Sequence, residues 1–285
     1  GTARAETINQ LLVSAAAEHS IAFAVGSQRA MLESGQTARQ LRDLAHNIPI
    51  IGNLGGVQLA QPGGIDLARA AIDDLEADAI AIHLNPLQEA VQPEGETDWK
   101  GVKAAIGSLV ESAEAPVIVK EVGADINASL AAELFDIGVT AVDVAGLGGT
   151  NWARIEAARR SGDSAIFSPF YDWGLPTIDC LREVCCACPD DLVIASGGLR
   201  HGLDAARAIW LGASVVSAAG PMLAHLKMEN DELSLTGLQN FIGSWKKQMA
   251  LTLFLTGAVD LVAFRGVEAR IDGAVIKPQS ALSDK

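Results

Sequence analysis

Seven short apolar runs recur along the chain, each continuous rather than alternating, at residues 21–26, 48–52, 79–84, 117–121, 140–145, 192–196 and 214–218. A strand with one wet face alternates apolar and polar residues. A continuous run marks a strand buried on both faces, as in a parallel sheet covered by helices. The segments 38–45, 66–75, 99–113, 128–137, 151–160, 177–188 and 204–211 read as those helices; in 66–75, Leu67, Ala70, Ala71 and Leu75 recur at helical spacing. Residues 1–20 read as a further helix, 233–255 as mostly helical, and the stretch before residue 173 as irregular. Unbroken βα repetition, without a linker, favours a (β/α)8 barrel and a single domain over residues 1–285. Such a barrel has eight strands, and seven are visible. The expectation is therefore a barrel whose first strand is missing from this chain. An open doubly wound sheet is the structural alternative.

The composition fits this reading. Of 285 residues, 49% are hydrophobic and 20% charged, with 28 Gly and 5% aromatics, which suits close helix–sheet packing. The net charge of −14 argues against nucleic acid or an anionic membrane surface as partner. An anionic ligand must then be held by local donors. No secretory leader is read, and the longest apolar stretch, 249–262, is too short to span a bilayer and contains Thr252, Thr256 and Asp260. Cys180, Cys185, Cys186 and Cys188 lack matching ligands elsewhere and read as reduced thiols on a helix, in a cytoplasmic protein.

Each apolar run ends in polar or glycine-rich residues: Ser27, Gln28 and Arg29 after the first, Asn53 after the second, and His83, Asn85, Gln88 and Glu89 after the third. Lys120 and Glu121 end the fourth, Asp143 and residues 146–151 the fifth, residues 196–200 the sixth, and residues 218–221 the seventh. Polar groups at every strand end point to a site on the carboxyl face of a barrel, where such folds carry their chemistry. Pro86 breaks a continuing helix, so Asn85, Gln88 and Glu89 are expected in a loop. Gly197, Gly198 and Gly220 would let backbone N–H groups approach a phosphate, with Arg200 adding charge; tight turns capping helices are the simpler alternative. Lys120 would suit an anionic reduced flavin, or a salt bridge to Glu121 or Asp143. Asn53 could bond a ring edge or merely stabilise a turn. Glu89 could hold Mg2+ beside a diphosphate, or be solvated.

Taken together, Gly26-Ser27-Gln28-Arg29, Asn53-Leu54-Gly55, His83-Leu84-Asn85-Pro86-Leu87-Gln88-Glu89, Val119-Lys120-Glu121-Val122-Gly123, Asp143-Val144-Ala145-Gly146-Leu147-Gly148-Gly149-Thr150, Asp172-Trp173-Gly174-Leu175-Pro176-Thr177 and Ser196-Gly197-Gly198-Leu199-Arg200 resemble type 2 isopentenyl diphosphate isomerases from Gly1 to about Gly257. The resemblance implies an FMN-dependent barrel that interconverts isopentenyl and dimethylallyl diphosphate. It implies reduced flavin, NADPH as its reductant, Mg2+, and a homotetramer or larger homo-oligomer. It implies that Ser27, Asn53, Lys120, Thr150, Gly197, Gly198, Leu199, Arg200, Ala219 and Gly220 contact FMN. Ser27, Gln28, Arg29, His83, Asn85 and Gln88 would meet the substrate, with Gln88 and His83 catalytic and Glu89 on the metal. It also implies that a basic diphosphate clamp and a first strand ending in a Met-Thr-Gly-Gly-type loop precede the stretch matching Gly1-Thr2. Two other readings are an FMN-dependent 2-hydroxy-acid oxidase and a degenerate flavin-binding barrel. The oxidase needs a His base where Gly148-Gly149-Thr150-Asn151 stand.

Overall fold

In the computed structural model, which describes residues 3–160, 164–229, 232–271 and 274–276, seven strands make one parallel sheet in chain order. They are β1 (Phe23–Ala24), β2 (Ile50–Gly55), β3 (Ala79–His83), β4 (Val117–Lys120), β5 (Ala141–Asp143), β6 (Leu192–Ala195) and β7 (Val215–Val216). A doubly wound sheet reverses its strand order at a switch point. This one never does, which sets the open-sheet alternative aside. β1 pairs with β2 and β7 with β6, but no described strand joins β7 to β1. Among the described residues the fold is thus seven strands of a (β/α)8 barrel.

The helices are α1 (Ala3–Glu18), α2 (Arg29–Glu33), α3 (Gln40–Leu44), α4 (Gly56–Leu59), α5 (Gly64–Leu75), α6 (Pro86–Val91), α7 (Val102–Ser112), α8 (Ala128–Asp136), α9 (Trp152–Arg159), α10 (Thr177–Ala187), α11 (Gly202–Trp210), α12 (Gly220–Ala224), α13 (Thr236–Thr256) and α14 (Leu261–Arg265). Their limits follow local chemistry. Asn127 and Asn151 cap α8 and α9 by accepting from Leu130 N (3.0 Å) and Arg154 N (2.8 Å). α5 opens after Gly63 at φ +81° and buries Ala68, Ala71 and Leu75 against the sheet. Burying Leu75 alone contributes about 1.5–3 kcal/mol.

Register decides which face of each strand looks inward. Ala81, Ile118 and Ala141 lie side by side in the ladders and pack with Ile51, Ala79 and Ile194 as a small cluster inside the curved sheet. Ile80, Ile82, Val117, Val119, Val142 and Val193 face the opposite way and join the large helix–sheet core.

Four local expectations change. Residues 21–26 pair only at Phe23–Ala24, because an end strand has one neighbour to bond. Residues 83–89 are not one loop: Pro86 takes the first position of α6, where its fixed φ suits the helix and no N–H is needed. Gln88 and Glu89 therefore stand on a helical first turn. Residues 164–170, expected to be irregular, form a 3-10 helix, and residues 233–234 belong to a short hairpin (β8, Lys227–Glu229, with β9, Glu232–Ser234) ahead of α13. All four cysteines are reduced thiols, and burial pushes Cys180 and Cys185 up to about 12. No described helix is long and apolar enough to cross a membrane.

Candidate active site

One row of the sheet carries the mouth of the barrel. Gly55 pairs with His83, His83 with Lys120, and Lys120 with Asp143 across four adjacent strands. Each lies two residues beyond the inward Ala81–Ile118–Ala141 layer, so all share its face. Asn53, two residues before Gly55, joins them: its Oδ1 lies 2.8 Å from His83 Nδ1. Asn53 Nδ2 donates to the Val25 carbonyl at 3.1 Å, which fixes the orientation of the amide. Burial first, then the charge of Lys120, pushes His83 down to about 4. The ring is therefore neutral at pH 7, donates from Nδ1 to Asn53, and keeps Nε2 as an acceptor.

Lys120 Nζ donates to the backbone carbonyl of Glu121 at 2.6 Å. It lies within ion-pair distance of no described carboxylate, so neither salt bridge envisaged for it forms, although its charge reaches both Glu121 and Asp143. Asp143 is fully enclosed and accepts from Ser196 Oγ at 2.6 Å. Burial raises its pKa, against the opposing pull of Lys120, of the Ser196 hydroxyl and of the Ala145 N–H, which donates to Oδ1 at 3.3 Å. Glu121 is also buried, and its Oε2 accepts from the N–H groups of Val122, Gly123 and Ala124 at 2.5–2.6 Å. Burial outweighs those three donors and pushes it up to about 7.

Beside this row two glycine loops meet backbone to backbone. A Cβ on Gly197 would lie 2.2 Å from Gly146 O, and one on Gly198 2.4 Å from Gly148 C and O. Both adopt positive φ, +98° and +81°. Only glycine fits there, and the result is a surface of backbone groups without side chains. Arg200 reaches the same place, with Nη2 3.5 Å from Gly148 O. A Cβ on Gly220 would lie 3.4 Å from Thr150 Oγ1, so the loops after β5 and β7 also converge. Thr150, Arg200, Ala219 and Gly220 are exposed, while Leu199 is buried and anchors its loop.

On α6, Asn85 Nδ2 donates to Gln88 Oε1 (3.2 Å) and Glu89 Oε1 (3.0 Å). Glu89 Oε2 accepts from Glu96 N at 2.8 Å. Gln88 Nε2 donates to Glu156 Oε1 at 3.1 Å, and Glu156 is buried and paired with Arg159 at 2.5 Å. Glu156 was not foreseen, since nothing in α9 separates it from an ordinary helical acid. Gln88 lines a shallow hollow together with Glu121, Gly123, Trp152 and Trp173.

The first strand end divides. Ser27 is exposed at the rim, and Arg29 pairs with Glu33 at 2.9 Å. Gln28, expected against substrate, is buried with its carboxamide committed elsewhere. Its Nε2 donates to Ala71 O (3.0 Å) on α5 and its Oε1 accepts from Asn53 N (2.9 Å). That links it to the helix layer and to the strand carrying Asn53.

Comparison with known proteins agrees with this geometry. The profile of the FMN-dependent dehydrogenase family matches residues 36–266. An isopentenyl-diphosphate delta-isomerase of Xanthobacter autotrophicus is 47% identical over 272 residues, covering 94% of this chain and 78% of its own. One from Stutzerimonas stutzeri is 46% identical over 271 residues, covering 93% and 77%. Among solved structures, mandelate oxidase with benzoyl-formic acid superposes with a TM-score of 0.62 at 16% identity, over 90% of this chain and 71% of that one. That likeness speaks for the barrel alone.

Proposed function

The chain belongs to the isopentenyl-diphosphate delta-isomerase family, with the barrel of the FMN-dependent dehydrogenases, and from that premise we propose that it interconverts isopentenyl and dimethylallyl diphosphate in isoprenoid biosynthesis. The described residues act as one barrel domain that uses FMN, with NADPH as flavin reductant, and Mg2+; the ends of the expected span 1–285 lie outside them. The observation that carries the reading is the grouping at one mouth of Lys120, which has no carboxylate partner among the described residues, neutral His83 with an accepting Nε2, and two glycine loops packed backbone to backbone without side chains between them.

The donor set fits FMN: a backbone cradle suits its phosphate and a lone ammonium suits an anionic ring. Lys120, Asn53, Ser27 and Thr150 hold the ring side, and the backbone of residues 197–200 with Ala219 and Gly220 holds the phosphate. Bound reduced flavin supplies proton transfer and stabilises positive charge next to an alkene that no ordinary side chain can protonate. Moving the double bond adds a proton to one carbon and removes one from another, with no net electron transfer. His83 and Gln88 orient the reacting carbons, and Glu156 fixes the Gln88 amide that does so. Ser27 and Arg29 complete the substrate wall, while buried Gln28 and Asn85 act from behind, Gln28 by holding Asn53 and Asn85 by bonding Gln88 and Glu89. Glu89 holds Mg2+ as a single carboxylate, a set this ion accepts because it keeps waters and takes its other ligands from phosphate.

A homotetramer or larger homo-oligomer accompanies this reading, supported by the exposed Phe254, Val259 and Val262. The four reduced thiols support a cytoplasmic setting. The test is incubation of the full-length protein with isopentenyl diphosphate, Mg2+ and dithionite-reduced FMN. Dimethylallyl diphosphate is expected. Its absence, or oxygen uptake with 2-hydroxy acids instead, would overturn the assignment.

A further inference from the structure

Besides buried Leu199 and the Arg200–Gly148 contact, a third group ties the two glycine loops together. Thr177, the first residue of α10, touches both. Its backbone N–H donates to Leu147 O at 3.1 Å, in the loop after β5. Its hydroxyl lies 2.5 Å from Gly197 O, in the loop after β6, and 3.2 Å from Leu147 O. The hydroxyl has one proton, and Leu147 O already receives the backbone N–H, so the shorter bond to Gly197 takes it. A trans peptide points its carbonyl and its following N–H in opposite directions. Fixing the Gly197 carbonyl toward Thr177 therefore aims the Gly198 N–H away from it. That N–H meets no acceptor among the described residues. Gly149 packs against the same peptide: a Cβ there would lie 2.9 Å from Gly198 N, so only glycine fits. Leu147 and Pro176 form a further bridge between the same segments, so Thr177 is itself firmly placed.

We propose that Thr177 is a positioning residue, whose hydroxyl sets the Gly197–Gly198 peptide so that the Gly198 N–H faces the phosphate of FMN. The proposal rests on the flavin reading above and adds to it the residue that orients the cradle. A merely structural threonine would affect every flavin alike, whereas a phosphate-orienting one distinguishes FMN from riboflavin, which lacks the phosphate.

The experiment titrates the full-length protein with FMN and with riboflavin, following flavin fluorescence, for wild type, Thr177→Val and Thr177→Ser. Thr177→Val should weaken FMN about tenfold and leave riboflavin within about twofold, and Thr177→Ser should restore FMN affinity. If valine prevents folding, Thr177→Ala removes the hydroxyl without bulk and gives the same comparison. Equal losses for FMN and riboflavin, or no loss of FMN, would overturn the proposal while wild type still binds FMN. Failure of wild type to bind FMN would overturn the flavin reading and this one with it.

Discussion

Replacing Glu121 by glutamine tests the electrostatics of the barrel mouth directly. Burial raises Glu121 from its ordinary value of 4.5 to about 7, despite three N–H donors on one oxygen and the nearby Lys120. An acid with a raised folded pKa binds its proton more tightly folded than unfolded. Its stabilising contribution is complete below pH 4.5 and is lost as pH rises through about 7. The displacement corresponds to about 3 kcal/mol. Glu121→Gln keeps an acceptor for the three N–H groups but cannot titrate. The stability of the variant relative to wild type should therefore rise by about 3 kcal/mol between pH 4.5 and pH 8. Asp125 and Asp143 are also raised by burial, but both are present in the two proteins and drop out of the difference. Urea unfolding of both proteins across this range measures it. A flat difference would refute the reasoning. So would a slope of opposite sign, which would mean that the three N–H groups outweigh burial.

Three further perturbations address neighbouring groups. Asn53→Leu strands the His83 Nδ1–H and the Val25 carbonyl, and should cost about 1–3 kcal/mol in urea unfolding; a change below about 0.5 kcal/mol would contradict the hydrogen-bond assignment. Lys120→Met should weaken reduced FMN at least about tenfold more than oxidised FMN in anaerobic titration, since only the reduced ring is anionic; equal losses would make the lysine structural. Glu89→Gln should raise the Mg2+ concentration for half-maximal activity about tenfold while FMN affinity stays unchanged, because Glu89 stands on α6, apart from the glycine cradle; a parallel fall in FMN affinity would remove its metal role.

Much of the fold was legible because its determinants are local. Continuous apolar runs and the helical spacing in 66–75 depend on neighbours within a turn or two, and they locate the strands and most helices. The position of polar groups at strand ends was equally local. Pro86 was misread because proline forbids a helix interior yet favours a first turn, and only the path of the chain after His83 distinguishes the two.

The sequence by itself determined the order of elements, the strand ends and the residue types waiting there. The tertiary structure decided which of them meet. A strand that is apolar on both faces does not say which face turns inward. Register alone put His83, Lys120 and Asp143 in one row. Packing between elements turned Gln28 toward α5, brought Glu156 from α9 to Gln88, and set the Thr177 hydroxyl on Gly197, 20 residues away in the chain. The physical reason is the same in each case. Such a contact depends on where two distant backbones are fixed by packing, and neither partner's local sequence carries that information.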